Sequence, residues 1–289
     1  MPELPEVETV RLGLLPIMVE KTVLRFEQRR LDLRWPLPKN MPERLNGTKI
    51  KNILRRSKYL LFNFDSDETL ITHLGMSGRL IVLHHKAQTT TEIANFNFKT
   101  HKLDKHDHLI FHLDEGVRVI YNDPRRFGAM DLVRTEEINL HKWLIHLGPE
   151  PFSNELSSNS LYHKLQKRTC SIKSALMNQK LISGLGNIYV LEALWAAGIS
   201  PERKANKLGK VRTKKLLLSV RNVLLKAIDA GGTSLQDFRR AGGGLGYFQN
   251  KLNVYGRFGK ECTNIDCLGT IKIVKQSGRA SYYCNTCQK

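Results

Sequence analysis

No apolar run in the 289-residue sequence approaches the ~18 residues that a membrane-crossing helix needs. The opening residues MPELPEVETV contain no basic stretch leading into an apolar one. A secretory signal is therefore not expected, and the cytoplasm is the expected compartment. Acidic residues are few beside basic ones: 27 Asp plus Glu against 46 Lys plus Arg, a formal charge of +19. Such a balance disfavours a cationic partner and points to a polyanion. On charge alone, nucleic acid and an anionic membrane surface both qualify. Cysteine is scarce as well. There are five, and four of them lie between positions 262 and 287. In a cytoplasmic chain that clustering reads as a metal site rather than as disulfides.

The apolar pattern that is present changes character along the chain. From Pro5 to about Met18, Val7, Val10, Leu14 and Ile17 recur at helical spacing. Short β-like runs follow: KTVLRFEQ, KYLLFNF, TLITHLGM, HLIFHL and VRVIYN, with DSDE and DEG as hairpin-type connections. This half predicts a β-sandwich with a leading helix. Residues 84–105 are polar and aperiodic and predict a surface loop. Beyond GPEPFSN the period is helical from about Ser160 to Ala230. In GLGNIYVLEALWAAGISP, Asn187 is a candidate N-cap, Gly198 a C-terminal stop, and Ile188, Leu191, Leu194 and Trp195 the expected buried stripe. The expected fold class is α+β, divided as 1–135, 136–250 and 251–289. The stretch from Arg203 to Lys226 carries basic residues and no acidic one; it is a solvated helix face or a phosphate-contacting one. AGGGLGYF, 241–248, is expected to be a linker or a lid over a ligand, since glycine loses the most backbone entropy on ordering. Cys170 stands alone and is expected to be a small buried residue.

The C-terminal cysteines read Cys262-x4-Cys267-x16-Cys284-x2-Cys287. Paired thiolates at such spacing suit one tetrahedral, structural Zn2+ with no coordination position left for substrate. TIKIV and RASYY, joined by KQSG, would make the two strands of a small zinc ribbon that the metal helps to fold. Arg279 would sit just past its turn.

Pro5 suits the first turn of a helix, where its missing N–H costs nothing. Pro2 needs another account. If Met1 is removed, Pro2 carries a free secondary amine able to attack an aldehydic carbon. At pH 7.5 roughly a third of a terminal amine is uncharged, against about 0.1% of a lysine. Position alone leaves Pro2 either an ordinary residue or a nucleophile.

A larger pattern bears on that choice. MPELPEVETV, LRWP, RRSKYLLF, HLGMSG, KHDH, NDPRRFGA, HLGPEP, GLGNIYVLEALWAAGISP, GGTSLQDFRRAGGGLGYFQNKLNVYGRFG and the tail YYCNTCQK occur in one order along the chain. Together they resemble the formamidopyrimidine-DNA glycosylase family, bacterial enzymes that remove oxidised purines from DNA. Leu4 favours that branch over the related endonuclease VIII group. The resemblance implies a helix–two-turns–helix DNA-binding domain and a bifunctional glycosylase and abasic-site lyase. In it Pro2 is the nucleophile, Glu3 an acid at the sugar, Glu6 a support of the same pocket, and Lys58 and Arg279 the cations that serve elimination. Extruding a base leaves a gap, and the implied fillers are Met76, Arg125 and Phe127. By the same resemblance His73, His106, Arg168, Asn187 and Tyr255 contact DNA, and 241–248 closes on the flipped base. The implied partner is damaged double-stranded DNA, bound by a monomer without a membrane. Three departures stand out: four residues separate the first cysteine pair where the family usually has two, the 84–105 loop is longer than the family leads one to expect, and Arg168 stands where relatives often have lysine. Alternatives are a preference for oxidised pyrimidines on the same fold, and a non-catalytic zinc-ribbon binder, which leaves Pro2, Glu3 and Lys58 unexplained.

Overall fold

The structure, a computed structural model, describes residues 2–84, 103–233 and 248–289. Most of the expected 84–105 loop and all of the 241–248 lid except Phe248 lie outside the described residues. The chain divides into two compact units, Met1–Ile145 with Ala230–Tyr247, and His146–Asp229 with Phe248–Lys289.

The first unit opens with helix α1, Leu4–Met18. Strand β1 (Val23–Gln28), the short helix α2 (Met41–Leu45), and strands β2 (Ile50–Arg56), β3 (Tyr59–Phe64), β4 (Glu68–His73) and β5 (Arg79–His84) follow. Strands β6 (Asp107–Leu113), β7 (Val117–Asn122) and β8 (Ala129–Arg134) complete it. Two antiparallel four-stranded sheets result, in orders β1-β6-β7-β5 and β2-β3-β4-β8. They form a β-sandwich with one core. Phe26, Phe111 and Tyr121 come from one sheet, Ile53, Phe62 and Leu70 from the other, and Val7, Val10, Leu14 and Met18 from α1. Each such side chain, fully buried, contributes about 1.5–3 kcal/mol. Met18 takes the last buried place on α1, and Ile17 is half-buried beside it.

Three strands were not apparent in the residue pattern: β2, β5 and β8. In β2 the buried residues are Ile50 and Ile53, three apart, with exposed Lys51 and Asn52 between them. A register irregularity between Ile50 and Asn52 explains it: a bulge inserts one residue and breaks the alternation of two that marks a strand.

The second unit is helical. It contains α3 (Ser158–Gln166), α4 (Ile172–Met177), α5 (Asn187–Ala197) and α6 (Lys210–Asp229), then an antiparallel hairpin of β9 (Ile271–Gln276) and β10 (Arg279–Cys284). The hairpin turns at Ser277 and Gly278, both with positive φ (49° and 76°), the left-handed pair of a type I′ turn. Helix α5 corrects two expectations. Its N-cap is Gly186, so Asn187 is the first helical residue and its side chain is released from capping. It is also buried on nearly every side rather than along one stripe: Tyr189, Val190, Glu192 and Ala193 are enclosed, whereas Trp195 is half-buried. A helix at the centre of its unit has no solvent face to mark with polar residues. Gly198 closes it at φ 69°, as expected. Cys170 is exposed, not buried, in the turn between α3 and α4.

Candidate functional site

In the first unit the candidate residues gather around the amino end of α1. Pro2, Glu3 and Glu6 are all buried. Glu6 Oε2 accepts the N–H of Glu3 at 2.9 Å. Its Oε1 accepts the N–H and the hydroxyl of Thr233 at 2.9 and 3.0 Å.

Lys58, 7% exposed, lies on the turn between β2 and β3 after Ser57, whose φ is 57°. That turn is fastened to α1 through one guanidinium. Arg55 Nε donates to Glu8 Oε2 at 2.8 Å, and its NH1 donates to the carbonyl of Ser57 at 3.0 Å. Burial alone would raise the Glu8 carboxyl. The Arg11 hydrogen bonds and the charge of Arg55 outweigh it and hold Glu8 below the usual range. The helix that Pro2 and Glu3 lead into and the turn that carries Lys58 are thus linked side chain to backbone.

His73 ends β4, opposite Tyr59 in register, with ring centroids 5.0 Å apart. Its Nδ1 accepts the N–H of Gly75 at 3.0 Å. Loss of water around the ring, then the charges of Lys58 and Arg34, pull its pKa down to about 4. The neutral ring therefore carries its proton on Nε2 and presents a donor there. Met76 is half-buried in the following loop. Arg125 and Phe127 are exposed on the loop before β8, with the guanidinium carbon 4.8 Å from the ring centroid. Phe127 is 45% exposed, so it is not a core residue. His106 is half-buried, and its carbonyl accepts the N–H of Asp123 at 3.0 Å.

The second unit holds the remaining candidates. Asn187 Nδ2 donates to the carbonyl of Ala280 at 3.1 Å. Arg279, exposed, is the first residue of β10. Beneath this hairpin lies Lys173 of α4, 2% exposed, with Nζ 2.7 Å from Ser281 Oγ. Burial first, then the nearby Arg279 charge, lowers its pKa to about 8. The ring of Tyr255 packs edge-on against Tyr282 at 5.3 Å. Its backbone is held by Glu192, 1% exposed: Oε1 accepts the N–H of Val254 and of Tyr255 at 3.0 and 2.9 Å, and Oε2 that of Asn253 at 2.9 Å. Arg168 is half-buried just past α3. Lys173 and Glu192 were not among the sequence candidates. Their available signal was a charged residue inside an otherwise apolar helical face.

The Sγ atoms of Cys262, Cys267, Cys284 and Cys287 lie within 4.8 Å of one another. Cys262 and Cys287 are 3.7 Å apart, and Cys267 and Cys284 3.5 Å apart. Thiolates on a tetrahedral Zn2+ at 2.3 Å would be separated by about 3.8 Å. The donor set therefore fits a metal ion of that size, and the four-residue first interval still delivers Cys267 to the cluster. Burial and the neighbouring thiols push the Cys287 thiol up, a penalty that a divalent cation would remove.

A model of the formamidopyrimidine-DNA glycosylase N-terminal domain matches residues 1–130, and one of the formamidopyrimidine-DNA glycosylase H2TH domain matches 147–239. Formamidopyrimidine-DNA glycosylases of a Ruegeria species and of Ruegeria pomeroyi are 50% and 49% identical over 289 residues, covering 100% of both chains in each case. A Lactococcus lactis Fpg in complex with DNA containing an abasic site superposes with a TM-score of 0.85 at 35% identity, covering 99% of each chain. The same organism's Fpg with DNA containing N7-benzyl-Fapy-dG gives 0.85 at 36% identity, covering 100% of each.

Proposed function

Given that the chain belongs to the formamidopyrimidine-DNA glycosylase family, and is thereby a DNA glycosylase of base excision repair, we propose that it removes 8-oxoguanine and formamidopyrimidines from double-stranded DNA and then cleaves the strand. The neutral nitrogen of Pro2 attacks C1′ of the damaged nucleotide. The glycosidic bond breaks, the base leaves with the bonding pair and takes up a proton, and the Pro2 nitrogen sheds its own proton to water. Glu3 delivers a proton to the ring oxygen as the sugar opens to an iminium. Loss of a C2′ proton expels the 3′ phosphate, and a second elimination expels the 5′ phosphate, with Lys58 and Arg279 stabilising the departing charge.

The observation that carries this reading is the junction of α1 with the Lys58 turn. Arg55, through Glu8 and the Ser57 carbonyl, joins the helix that begins beside buried Pro2, Glu3 and Glu6 to the turn that carries Lys58, and structural support of a plain binding protein requires none of that chemistry. In the second unit Arg168, Asn187, Tyr255 and Arg279 are read as DNA contacts, and His73 and His106 likewise in the first. Backbone contacts of this kind position the duplex without reading its sequence. Met76, Arg125 and Phe127 are read as the groups that fill the vacated stack; a wedge of this type unstacks and supports the duplex. The four cysteines would hold one structural Zn2+. Residues 1–135 are assigned to the chemistry, 136–250 to the helical DNA-binding part and 251–289 to the finger, in a cytoplasmic monomer.

Borohydride added to protein and lesion-bearing duplex tests the reading. It should reduce an iminium and trap a covalent adduct on the Pro2 peptide. Pro2→Gly should lose base release while retaining affinity for an abasic analogue. Capture of the sugar on any other residue, or full activity of Pro2→Gly, overturns the mechanism.

A further inference from the structure

Met76 sits in the loop after β4, and Arg125 and Phe127 in the loop before β8. Between them lies Asp123, completely buried. Its Oδ1 accepts the hydroxyl of Ser77 at 2.5 Å. Its Oδ2 accepts the N–H of Gly128 at 2.8 Å and the hydroxyl of Tyr121 at 3.2 Å. Ser77 in turn accepts the N–H of Arg125 at 3.2 Å. One carboxylate is therefore bonded to the neighbour of Met76 and to the neighbour of Phe127, and through Ser77 to Arg125 itself.

The two loops also touch directly. Gly75, at φ 66°, lies so close to the Phe127 carbonyl and Gly128 N that a Cβ there would collide with both. A Cβ on Gly128 would run into the Tyr121 hydroxyl. The backbone of Asp123 also holds the entry to β6, its N–H donating to the His106 carbonyl and its own carbonyl lying 2.9 Å from His108 Nε2.

We propose that Asp123 is a positioning residue for gap filling: its carboxylate locks the 74–78 and 123–128 loops into one block, so that Met76, Arg125 and Phe127 enter the duplex as a unit. This rests on reading those three side chains as the fillers. The physical reason is preorganisation. Side chains on slack exposed loops must be ordered as they insert, and that loss of freedom opposes insertion. A buried carboxylate tolerates no missing donor, because its charge is then left unpaired. Each lost donor therefore loosens the block to a degree set by the bonds that remain.

The test compares two substrates with the full-length, metal-loaded protein. One is a duplex containing 8-oxoguanine, with 2-aminopurine in the opposite strand to report gap filling. The other is an abasic site in a single strand, which has no stack to fill and is read by borohydride trapping. Asp123→Asn places an amide N–H₂ against donors. It should slow duplex excision about tenfold or more, the loss of one charge-assisted bond, with a matching delay of the 2-aminopurine signal. Trapping on the single strand should stay within about twofold, the scatter expected of a contact outside the reaction. Ser77→Ala keeps the Gly128 and Tyr121 bonds and should show the same pattern more weakly, and Ser77→Thr should restore it. If Asp123→Asn fails to fold, Ser77→Ala decides. Equal loss on both substrates, or no loss on either, overturns the proposal and leaves Asp123 a packing residue. Phe127→Ala separates the two readings. If it leaves duplex excision unchanged, the filler reading fails. If it slows excision while Asp123→Asn and Ser77→Ala do not, the Asp123 inference alone fails.

Discussion

Glu6 and Thr233 meet at a single oxygen: Oε1 of the buried carboxylate accepts both the N–H and the hydroxyl of Thr233. Its other oxygen holds the N–H of Glu3. Gly232, at φ 76°, fits against the same side chain, and a Cβ there would stand 3.0 Å from Oε1. One carboxylate thus joins the residue beside Pro2 to a segment more than two hundred positions away. Glu6→Gln should destabilise the unit by about 1–3 kcal/mol, because its amide N–H₂ faces a donor wherever it points. Thr233→Val removes only the hydroxyl bond and should lose about 1 kcal/mol. Urea denaturation of the two variants checks the order; equal stabilities would show that Glu6 is not under this constraint.

The uncharged state of His73 has a pH signature. Its pKa is about 4 in the fold against an ordinary 6.5. Between those values the unfolded chain binds the proton and the folded one does not, so stability falls as pH drops through 6.5 and the penalty levels off below 4. The slope should approach about 1.4 kcal/mol per pH unit inside that window. His73→Gln keeps a donor and should flatten it. The midpoint of urea unfolding, followed from neutral to acid pH, reads the difference between the two proteins. An unchanged slope in the variant would place the titrating group elsewhere.

Much of this arrangement was readable from residue order alone. Alternation gave β1, β3, β4, β6 and β7, and the helical period gave α1 and the second unit. The bulge in β2 hid that strand, and burial on nearly every side hid the boundaries of the α5 stripe. The cysteine spacing foretold a cluster that the fold assembles despite its longer first interval. What the pattern did not reveal were the buried polar ties: Asp123, Glu192, Lys173 and Thr233. Such residues look like surface residues in a sequence. Only three-dimensional proximity shows that Asp123 and Glu192 accept from buried N–H and hydroxyl donors while Lys173 and Thr233 donate to a buried hydroxyl and a buried carboxylate.

Lys173 gives a further measurable consequence. Burial and the Arg279 charge hold its pKa near 8, against an ordinary 10.5. In the free protein it is therefore partly deprotonated between those values, and stability rises with pH across that window because the unfolded chain binds more protons there. A phosphodiester bound at Arg279 would favour the charged ammonium and reverse the shift. DNA binding in that pH window should take up a proton, seen calorimetrically as a binding heat that depends on the ionisation heat of the buffer. Lys173→Met should abolish the dependence. Equal heats in all buffers with the unaltered protein would mean that no phosphate approaches the Lys173–Arg279 pair.

Metal removal should act on the finger before it acts on the helices. The core beneath the hairpin is small: Leu191, Val254, Ile271 and the two buried cysteines, with Tyr255 and Tyr282 packed alongside. Apolar burial on that scale cannot offset the ordering of the tail, whereas a four-thiolate Zn2+ site supplies on the order of 10 kcal/mol. Chelation should therefore expose the four thiols to a thiol reagent and disturb the tyrosine near-ultraviolet signal from Tyr255 and Tyr282. Helix α5 packs on α6 as well as on the hairpin, so far-ultraviolet helicity should largely persist. Affinity for abasic-site DNA should fall together with Arg279 positioning, and Cys262→Ala should reproduce the effect. A zinc ion that took part in the reaction would give the opposite pattern, with DNA binding retained and base release lost; that result would remove the metal from its structural role.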